Sequence, residues 1–228
     1  MEDELKIFVL GGSSSIGLAI IQAYIRDGHE VVATYNTHKP TNAIGASWLK
    51  ADLRGPLPNL QSVASGVAVA LLLPGVVMGK TLGDYTDEMI TEMVDVNFAG
   101  QVRVLREVAP VMSDDSQVII MGSLSAQRGS ADPIYGAMKG AMHALAKSLS
   151  KSLAPKTRVN VVAPGLVSDT RMYDATPEAI RESHLGVTPT DHFISAAQLA
   201  EIVADITKPH WSQLNGACID LNGGQYVR

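Results

Sequence analysis

Lys6-Ile7-Phe8-Val9-Leu10-Gly11-Gly12-Ser13-Ser14-Ser15-Ile16-Gly17 decides the architecture. Lys6–Leu10 is an unbroken apolar run after its first residue, the pattern of a strand buried on both faces. The glycines and serines that follow read as a tight turn into a helix starting among the serines, any of which can cap it. Free N–H groups and the positive end of the helix dipole at such a start suit a pyrophosphate. Working outward, the alternation of strand and helix repeats. Strands are predicted near 6–10, 30–35, 46–50, 67–73, 116–122, 157–163 and 217–221, and helices near 15–27, 86–110, 133–154 and 195–207, with shorter ones near 58–64 and 175–183. This alternation predicts an α/β fold: a doubly wound, mostly parallel seven-stranded sheet with helices on both faces. Gly28 fits the C′ position of the first helix. Pro56 and Pro58 break up the connection from Asp52 to Gly66, so its helix should be trimmed to a turn or two. No repeat or linker divides residues 1–228, which read as one domain.

Composition narrows the function classes. A chain of 228 residues can bury a substantial core, and its net charge of −5 argues against a nucleic-acid footprint. Met1-Glu2-Asp3-Glu4-Leu5-Lys6 lacks the basic-then-apolar layout of a signal peptide. The longest apolar run, Val67 to Met78, contains Pro74 and Gly75 and falls well short of the ~20 residues of a membrane span. Cys218 is the only cysteine, which excludes a disulfide within the chain, and its alternation with Ala217, Ile219 and Leu221 suggests a core strand. The six histidines and one cysteine show no metal-ligand spacing. A soluble, cytoplasmic protein with no metal, nucleic-acid or membrane partner is expected.

Asp132-Pro133-Ile134-Tyr135-Gly136-Ala137-Met138-Lys139 carries the chemistry. Asp132 fits an N-cap and Pro133 the first helical position, so Tyr135 lies in the first turn with Lys139 one turn on, along the same face. A free phenol, with a pKa of about 10, is a poor acid–base group near neutrality. A neighbouring ammonium and the helix N-terminus both favour phenolate, so a lowered Tyr135 pKa is expected. Taken alone, the pair also fits an exposed face of an amphipathic helix. Around it stand Gly122-Ser123-Leu124-Ser125 at a strand tip, Asn97 among apolar neighbours in Asp95–Gly100, and the turn Ala163-Pro164-Gly165 after another strand.

The ordered set of glycine-rich loop, Asn, Ser, Tyr-x-x-x-Lys and Pro-Gly resembles the short-chain dehydrogenase/reductase family in its single-domain form. The resemblance runs from about Lys6 to Asp220-Leu221-Asn222-Gly223-Gly224 and implies a Rossmann-like fold. It implies roles for Asn97, Ser123, Tyr135 and Lys139. Ser123 would hydrogen-bond a substrate carbonyl, with Ser125 as its rival, and Tyr135 would act as general acid. Lys139 would lower the Tyr135 pKa and hold the nicotinamide ribose, and Asn97 would hold a water of a proton relay. Gly11, Ser13, Ser14, Ser15, Ile16 and Gly17 would cradle the pyrophosphate, although Leu10 and Ser15 depart from the family's Thr-Gly-x-x-x-Gly-x-Gly. Asp52 and Leu53 would meet the adenine, and Leu73 and Gly75 the ribose, although Leu72-Leu73-Pro74-Gly75 replaces the usual Asn-Asn-Ala-Gly. Pro164, Gly165, Val167 and Thr170 would line the nicotinamide, and 171–194 would form a substrate lid that includes His184 and His192.

The implied activity is reversible reduction of a ketone or aldehyde with NADP. Tyr35 stands where an acidic residue would favour NAD, and Lys39 lies nearby; NAD remains the alternative. A non-catalytic dinucleotide sensor is the rival reading, opposed by the complete Asn-Ser-Tyr-Lys set. An epimerase or dehydratase would need a larger C-terminal region. Arg128, in the loop between Ser123 and Tyr135, either pairs with an anionic substrate group or is a solvated surface residue. Apolar positions on more than one face of 86–110 and 133–154, namely Met89, Met93, Val104, Met138, Met142 and Leu149, point to a homo-oligomer, a tetramer or dimer.

Overall fold

The computed structural model describes residues 4–41 and 45–227; the acidic start Met1-Glu2-Asp3 lies outside them. In chain order the elements are β1 (Lys6–Leu10), α1 (Ser15–Arg26), β2 (Glu30–Tyr35), β3 (Ala46–Lys50), α2 (Leu60–Ala64) and β4 (Val69–Leu72). Then come α3 (Asp87–Val94), α4 (Gly100–Val108), β5 (Ser116–Met121), α5 (Ser125–Arg128), α6 (Pro133–Ser152) and β6 (Thr157–Pro164). The chain continues through α7 (Arg171–Ala175), α8 (Glu178–Gly186), α9 (Ala196–Asp205) and β7 (Cys218–Leu221). The strands form one sheet in the order β3-β2-β1-β4-β5-β6-β7. Every pairing is parallel, so the expected "mostly parallel" sheet is wholly so. Parallel neighbours of this kind need crossover connections rather than hairpins.

The two faces of β1 show why its apolar run has no alternation. Ile7 and Val9 pack against α1 and α9, with Ile20, Ile21, Leu199 and Val203. Phe8 and Leu10 enter the opposite core with Val104, Val108, Met142 and Ala146 from α4 and α6. All four strand residues are at most 1% exposed, and each such side chain contributes about 1.5–3 kcal/mol of burial. Local signals set the helix starts. The Ser14 hydroxyl caps α1 by accepting the Gly17 N–H, Asp132 caps α6 ahead of Pro133, and Ser195 with Gln198 forms a capping box on α9.

One predicted element differs in kind. The expected continuous helix over 86–110 is interrupted at Asp95–Ala99 by a turn of π geometry that joins α3 to α4. The extra residue in that turn re-aims Asn97, which is fully buried, toward the loop after β4. The helix near 58–64 is cut to the five residues of α2, as its prolines suggest. The strand order reverses beside β1, between β2 on one side and β4 on the other, and in open parallel sheets ligands bind beyond the carboxyl ends of the strands at such a point.

Candidate functional site

The loop after β1 is closed by its own serine. Ser14 Oγ accepts the Gly17 N–H and donates to the Gly11 carbonyl, both at 3.0 Å. A Cβ on Gly17 would lie 2.7 Å from the Cα and carbonyl oxygen of Gly12, so only glycine lets the helix start this close to the loop. The first-turn N–H groups of Ser15 and Ile16 stand at the positive end of α1, with Ser13 beside them. Gly11 has φ +78° and packs under Pro74, which brings the first loop against the loop after β4.

That second loop is braced from the helices. Asn97 Oδ1 accepts the Val76 N–H at 3.0 Å, and Nδ2 donates to the Val76 carbonyl at 3.1 Å. Gln101, one turn on, donates to the Pro74 carbonyl at 3.1 Å and to the Asn97 carbonyl at 3.2 Å. Leu72 and Leu73 are buried in the two cores. The two amides absent from Leu72-Leu73-Pro74-Gly75 are thus replaced by apolar packing below and by Asn97 and Gln101 above. Both polar atoms of the Asn97 side chain engage Val76, so Asn97 is a brace for this loop.

Asp132 ties the same loop to α6. Its Oδ1 accepts the Tyr85 hydroxyl at 2.6 Å and the Tyr135 N–H at 3.0 Å. Its Oδ2 accepts the N–H groups of Met78 and Gly79 at 3.0 and 2.9 Å. Burial works to raise the carboxyl pKa, but the bonds from Tyr85, Tyr135, Gly79 and Met78 hold it below its ordinary value. The sequence identified Asp132 only as a cap. Its ties to residues far away in sequence leave no local pattern.

Ser123, Tyr135 and Lys139 come together on this frame. Tyr135 and Ser123 are each 8% exposed and Lys139 is 3% exposed. The Ser123 hydroxyl lies close enough to the Tyr135 phenol to lower its pKa, and it accepts the Ser125 N–H at 3.1 Å, so the rival serine supports Ser123 through its backbone. Lys139 Nζ donates to the Met121 carbonyl at 2.8 Å and lies 5.9 Å from the Tyr135 ring centroid. A Cβ on Gly75 would stand 3.2 Å from Nζ and 3.5 Å from Asn97 Oδ1, so Gly75, Asn97 and Lys139 converge. The expected lowering of the Tyr135 pKa is overturned. Burial pushes the phenol up, the nearby Ser123 hydroxyl lowers it by less, and the Asp132 charge adds a further rise. Burial also lowers the Lys139 ammonium, to about 8.

The remaining candidates lie around this centre. Pro164 ends β6 and accepts the Leu124 N–H at 3.0 Å; Gly165 donates to Leu221 at 3.1 Å. Val167 is buried, and Thr170 caps α7, accepting the Tyr173 N–H and donating to the Val167 carbonyl. Tyr35 ends β2 with its ring edge-on to Trp48, the centroids 6.4 Å apart. Asp52 is clasped by Arg54 through both carboxylate oxygens at 2.8 and 3.0 Å, which holds its pKa at about 2; Leu53 beside it is buried against Gly100. Among the described residues, neither Asp52 nor Tyr35 hydrogen-bonds to Ser123, Tyr135 or Lys139. Within the 171–194 segment, Arg128 Nη2 faces His184 Nδ1 at 3.3 Å, and Gln225 donates to the His184 carbonyl at 2.7 Å. A cleft of about 610 Å³ lies elsewhere, between residues 188–194, α9 and the tip of β7, and none of Ser123, Tyr135 or Lys139 lines it.

A family model described as enoyl-(acyl carrier protein) reductase matches residues 11–225. The 3-oxoacyl-[acyl-carrier-protein] reductase MabA of Mycobacterium avium is 28% identical over 227 residues, covering 96% of this chain and 89% of the relative. Among solved structures, a short-chain dehydrogenase/reductase (glucose/ribitol dehydrogenase) from Brucella melitensis superposes with a TM-score of 0.90 at 25% identity, covering 100% of this chain and 99% of that one. A blue fluorescent protein from a metagenomic library, in complex with NADPH, gives 0.88 at 25% identity over 98% of both chains.

Proposed function

Because the chain belongs to the short-chain dehydrogenase/reductase family, we propose that it is an NADPH-dependent oxidoreductase that reduces a ketone or aldehyde to an alcohol, reversibly. One observation carries this reading: Ser123, Tyr135 and Lys139 meet beside Gly75, on a loop locked by Asn97 and Asp132.

The residues present fit a dinucleotide. The Gly12–Gly17 contact leaves no room for a side chain where the backbone must approach a pyrophosphate, and α1 begins there. Gly11, Ser13, Ser14, Ser15, Ile16 and Gly17 would hold the phosphates. Tyr35, Asp52 and Leu53 would border the adenosine, with Leu73, Gly75, Tyr135 and Lys139 on the nicotinamide ribose. Pro164, Gly165, Val167 and Thr170 would border the ring. When bound, the nicotinamide supplies the hydride. Ser123 Oγ binds and orients the substrate oxygen, and Tyr135 gives that oxygen its phenolic proton as negative charge develops on it. Lys139 returns positive charge to the phenol's side of the site. Burial that keeps Tyr135 protonated suits a proton donor.

The named relatives make a 3-oxoacyl thioester the first substrate to try. Enoyl thioesters are the second, because the family model's description names an enoyl reductase. Ser123 and Tyr135, both hydroxyl donors to one oxygen, favour the carbonyl. The test is NADPH oxidation against both substrates and simple ketones: carbonyl-dependent turnover is expected, and its absence with all of them would overturn the reading in favour of a dinucleotide sensor. Residues 171–194, as α7, α8 and the following loop, form the substrate lid of a single domain spanning 1–228. No helix among the described residues is long and apolar enough to cross a membrane, and the proposed setting is the cytoplasm. The proposed assembly is a homo-oligomer built on α4 and α6.

A further inference from the structure

Against the backbone of Ser123 lies a polar cluster that the proposed chemistry does not use. His143 follows Lys139 by one turn of α6, so Tyr135, Lys139 and His143 share one face, and the imidazole is 9% exposed. Its Nε2 is 3.4 Å from the backbone nitrogen of Ser123. Its Nδ1 is 3.8 Å from Cys218 Sγ on β7. Gln127 Nε2 donates to the same sulfur at 3.5 Å and to Asp220 Oδ1 at 2.8 Å, and Cys218 Sγ lies 3.8 Å from that oxygen. Gly122 makes the approach possible, since a side chain there would collide with the His143 ring and with Val161.

We propose that His143 is a positioning residue for Ser123, holding the serine's backbone N–H on Nε2 while Cys218 fixes the ring. The polarity follows from donor and acceptor types. The Ser123 N–H can only donate, so Nε2 carries no proton, and a neutral imidazole then carries its proton on Nδ1. That Nδ1–H faces a sulfur, a weak acceptor, whose own S–H is directed at the Asp220 carboxylate. The chain of bonds runs one way, from Ser123 through His143 and Cys218 to Asp220. A protonated ring would instead oppose an N–H to the Ser123 N–H. The strand tip that carries the Ser123 hydroxyl is therefore set by a side chain on the helix that carries Tyr135 and Lys139, which locks the three groups into one frame. An apolar residue at 143 would fill the space but leave the serine amide unheld.

This inference rests on the reading of Ser123 as the group that binds the substrate oxygen, and the experiment separates the two. Histidine side-chain nitrogen NMR of the full chain at pH 7, assigned against His143→Gln, should show His143 protonated on Nδ1 and bare on Nε2. His143→Leu should shift the Ser123 amide proton, and His143→Gln, whose amide oxygen can accept the same N–H, should restore it. With NADPH and the carbonyl substrate saturating, His143→Leu should lower kcat about tenfold and leave the KM for NADPH within about twofold, as expected for a small misplacement of one reacting group. His143→Gln should regain most of that loss. In a Ser123→Ala background His143→Leu should add no further loss. An Nε2–H tautomer would overturn the proposal, as would equal losses for Leu and Gln, a kcat within twofold of wild type for His143→Leu, or a full further loss in the Ser123→Ala background. If wild type turns over no carbonyl, the proposed function fails while the tautomer and the amide shift still decide the role of His143. If His143→Leu does not fold, the wild-type tautomer alone decides it.

Discussion

A buried phenol gives up its proton reluctantly, because phenolate loses more solvation than the neutral ring does. Tyr135 lies under that influence, and Lys139, directed to the Met121 carbonyl, does not outweigh it. Two outcomes follow for the residue. Tyr135→Phe keeps the ring packing and removes the proton, so kcat should fall at least about 10²-fold while NADPH affinity, measured by fluorescence titration, stays near wild type. Alcohol oxidation, which needs phenolate to accept a proton, should accelerate as pH rises above neutrality, whereas carbonyl reduction should not. Lys139 provides a stability test with a definite sign. Its folded pKa of about 8 lies below its ordinary 10.5, so the unfolded chain binds more protons between these values, and stability rises with pH across that window. Thermal denaturation should therefore show wild type gaining on Lys139→Met from pH 8 to 10.5; a flat difference would mean that Lys139 titrates normally. At the cofactor end, Tyr35→Asp places a carboxylate where a 2′-phosphate would lie, and kcat/KM should shift from NADPH toward NADH. The Tyr135–Lys139 spacing was legible because one helical turn is a local distance. The direction of the Tyr135 shift was not, because it depends on everything that covers the ring.

At the scale of the element, the loop after β4 depends on side chains that arrive from the π turn, from α4 and from the cap of α6. Asp132 alone satisfies four donors from Tyr85, Tyr135, Met78 and Gly79. Asp132→Ala leaves buried N–H groups unpaired and removes the α6 cap, so urea denaturation should show a loss of about 3 kcal/mol or more. Asp132→Asn keeps one acceptor but turns an NH₂ toward two N–H donors or the Tyr85 hydroxyl, and should recover only part of it. A loss under about 1 kcal/mol for Ala would mean that water replaces the carboxylate. The strands and the starts of α1 and α6 were legible because apolar runs and caps are written in neighbouring residues. The break in 86–110 was less so. Asn97 and Gln101 sit one turn apart in an apolar stretch, a hint of buried amides with distant partners, but their partners Pro74 and Val76 lie in a loop whose path no periodicity reveals. The His143–Cys218 contact joins a helix to the edge strand, and neither residue marks it locally.

At the scale of the molecule, the expected second apolar face on α4 and α6 needs revision. Met93, Val104 and Met142 are fully buried within the protomer and belong to its own packing, so they cannot face a neighbour. Periodicity could not separate them from outward positions, because both cores and interfaces ask for the same residue types. What remains on the outside is a groove of about 450 Å³ between α4 and α6, lined by Val102, Leu145 and Leu149, with Arg106 and Lys156 at its edge. The three apolar side chains are only half-buried in the single chain, as expected of an apolar seam flanked by charge at a contact between copies. Seating a second α4–α6 pair on this seam would cover it, and isologous pairing of one patch with itself produces a closed dimer from which a tetramer can be built. Light scattering at micromolar concentration should give a multiple of the 24.2 kDa protomer mass. Leu149→Glu would bury a carboxylate without a partner in the seam, and should lower the mass toward 24.2 kDa while leaving the protomer folded by circular dichroism. Wild type at the protomer mass would remove the assembly from the proposal. A Leu149→Glu variant that stayed assembled would move the contact off this seam, to another surface of the same molecule.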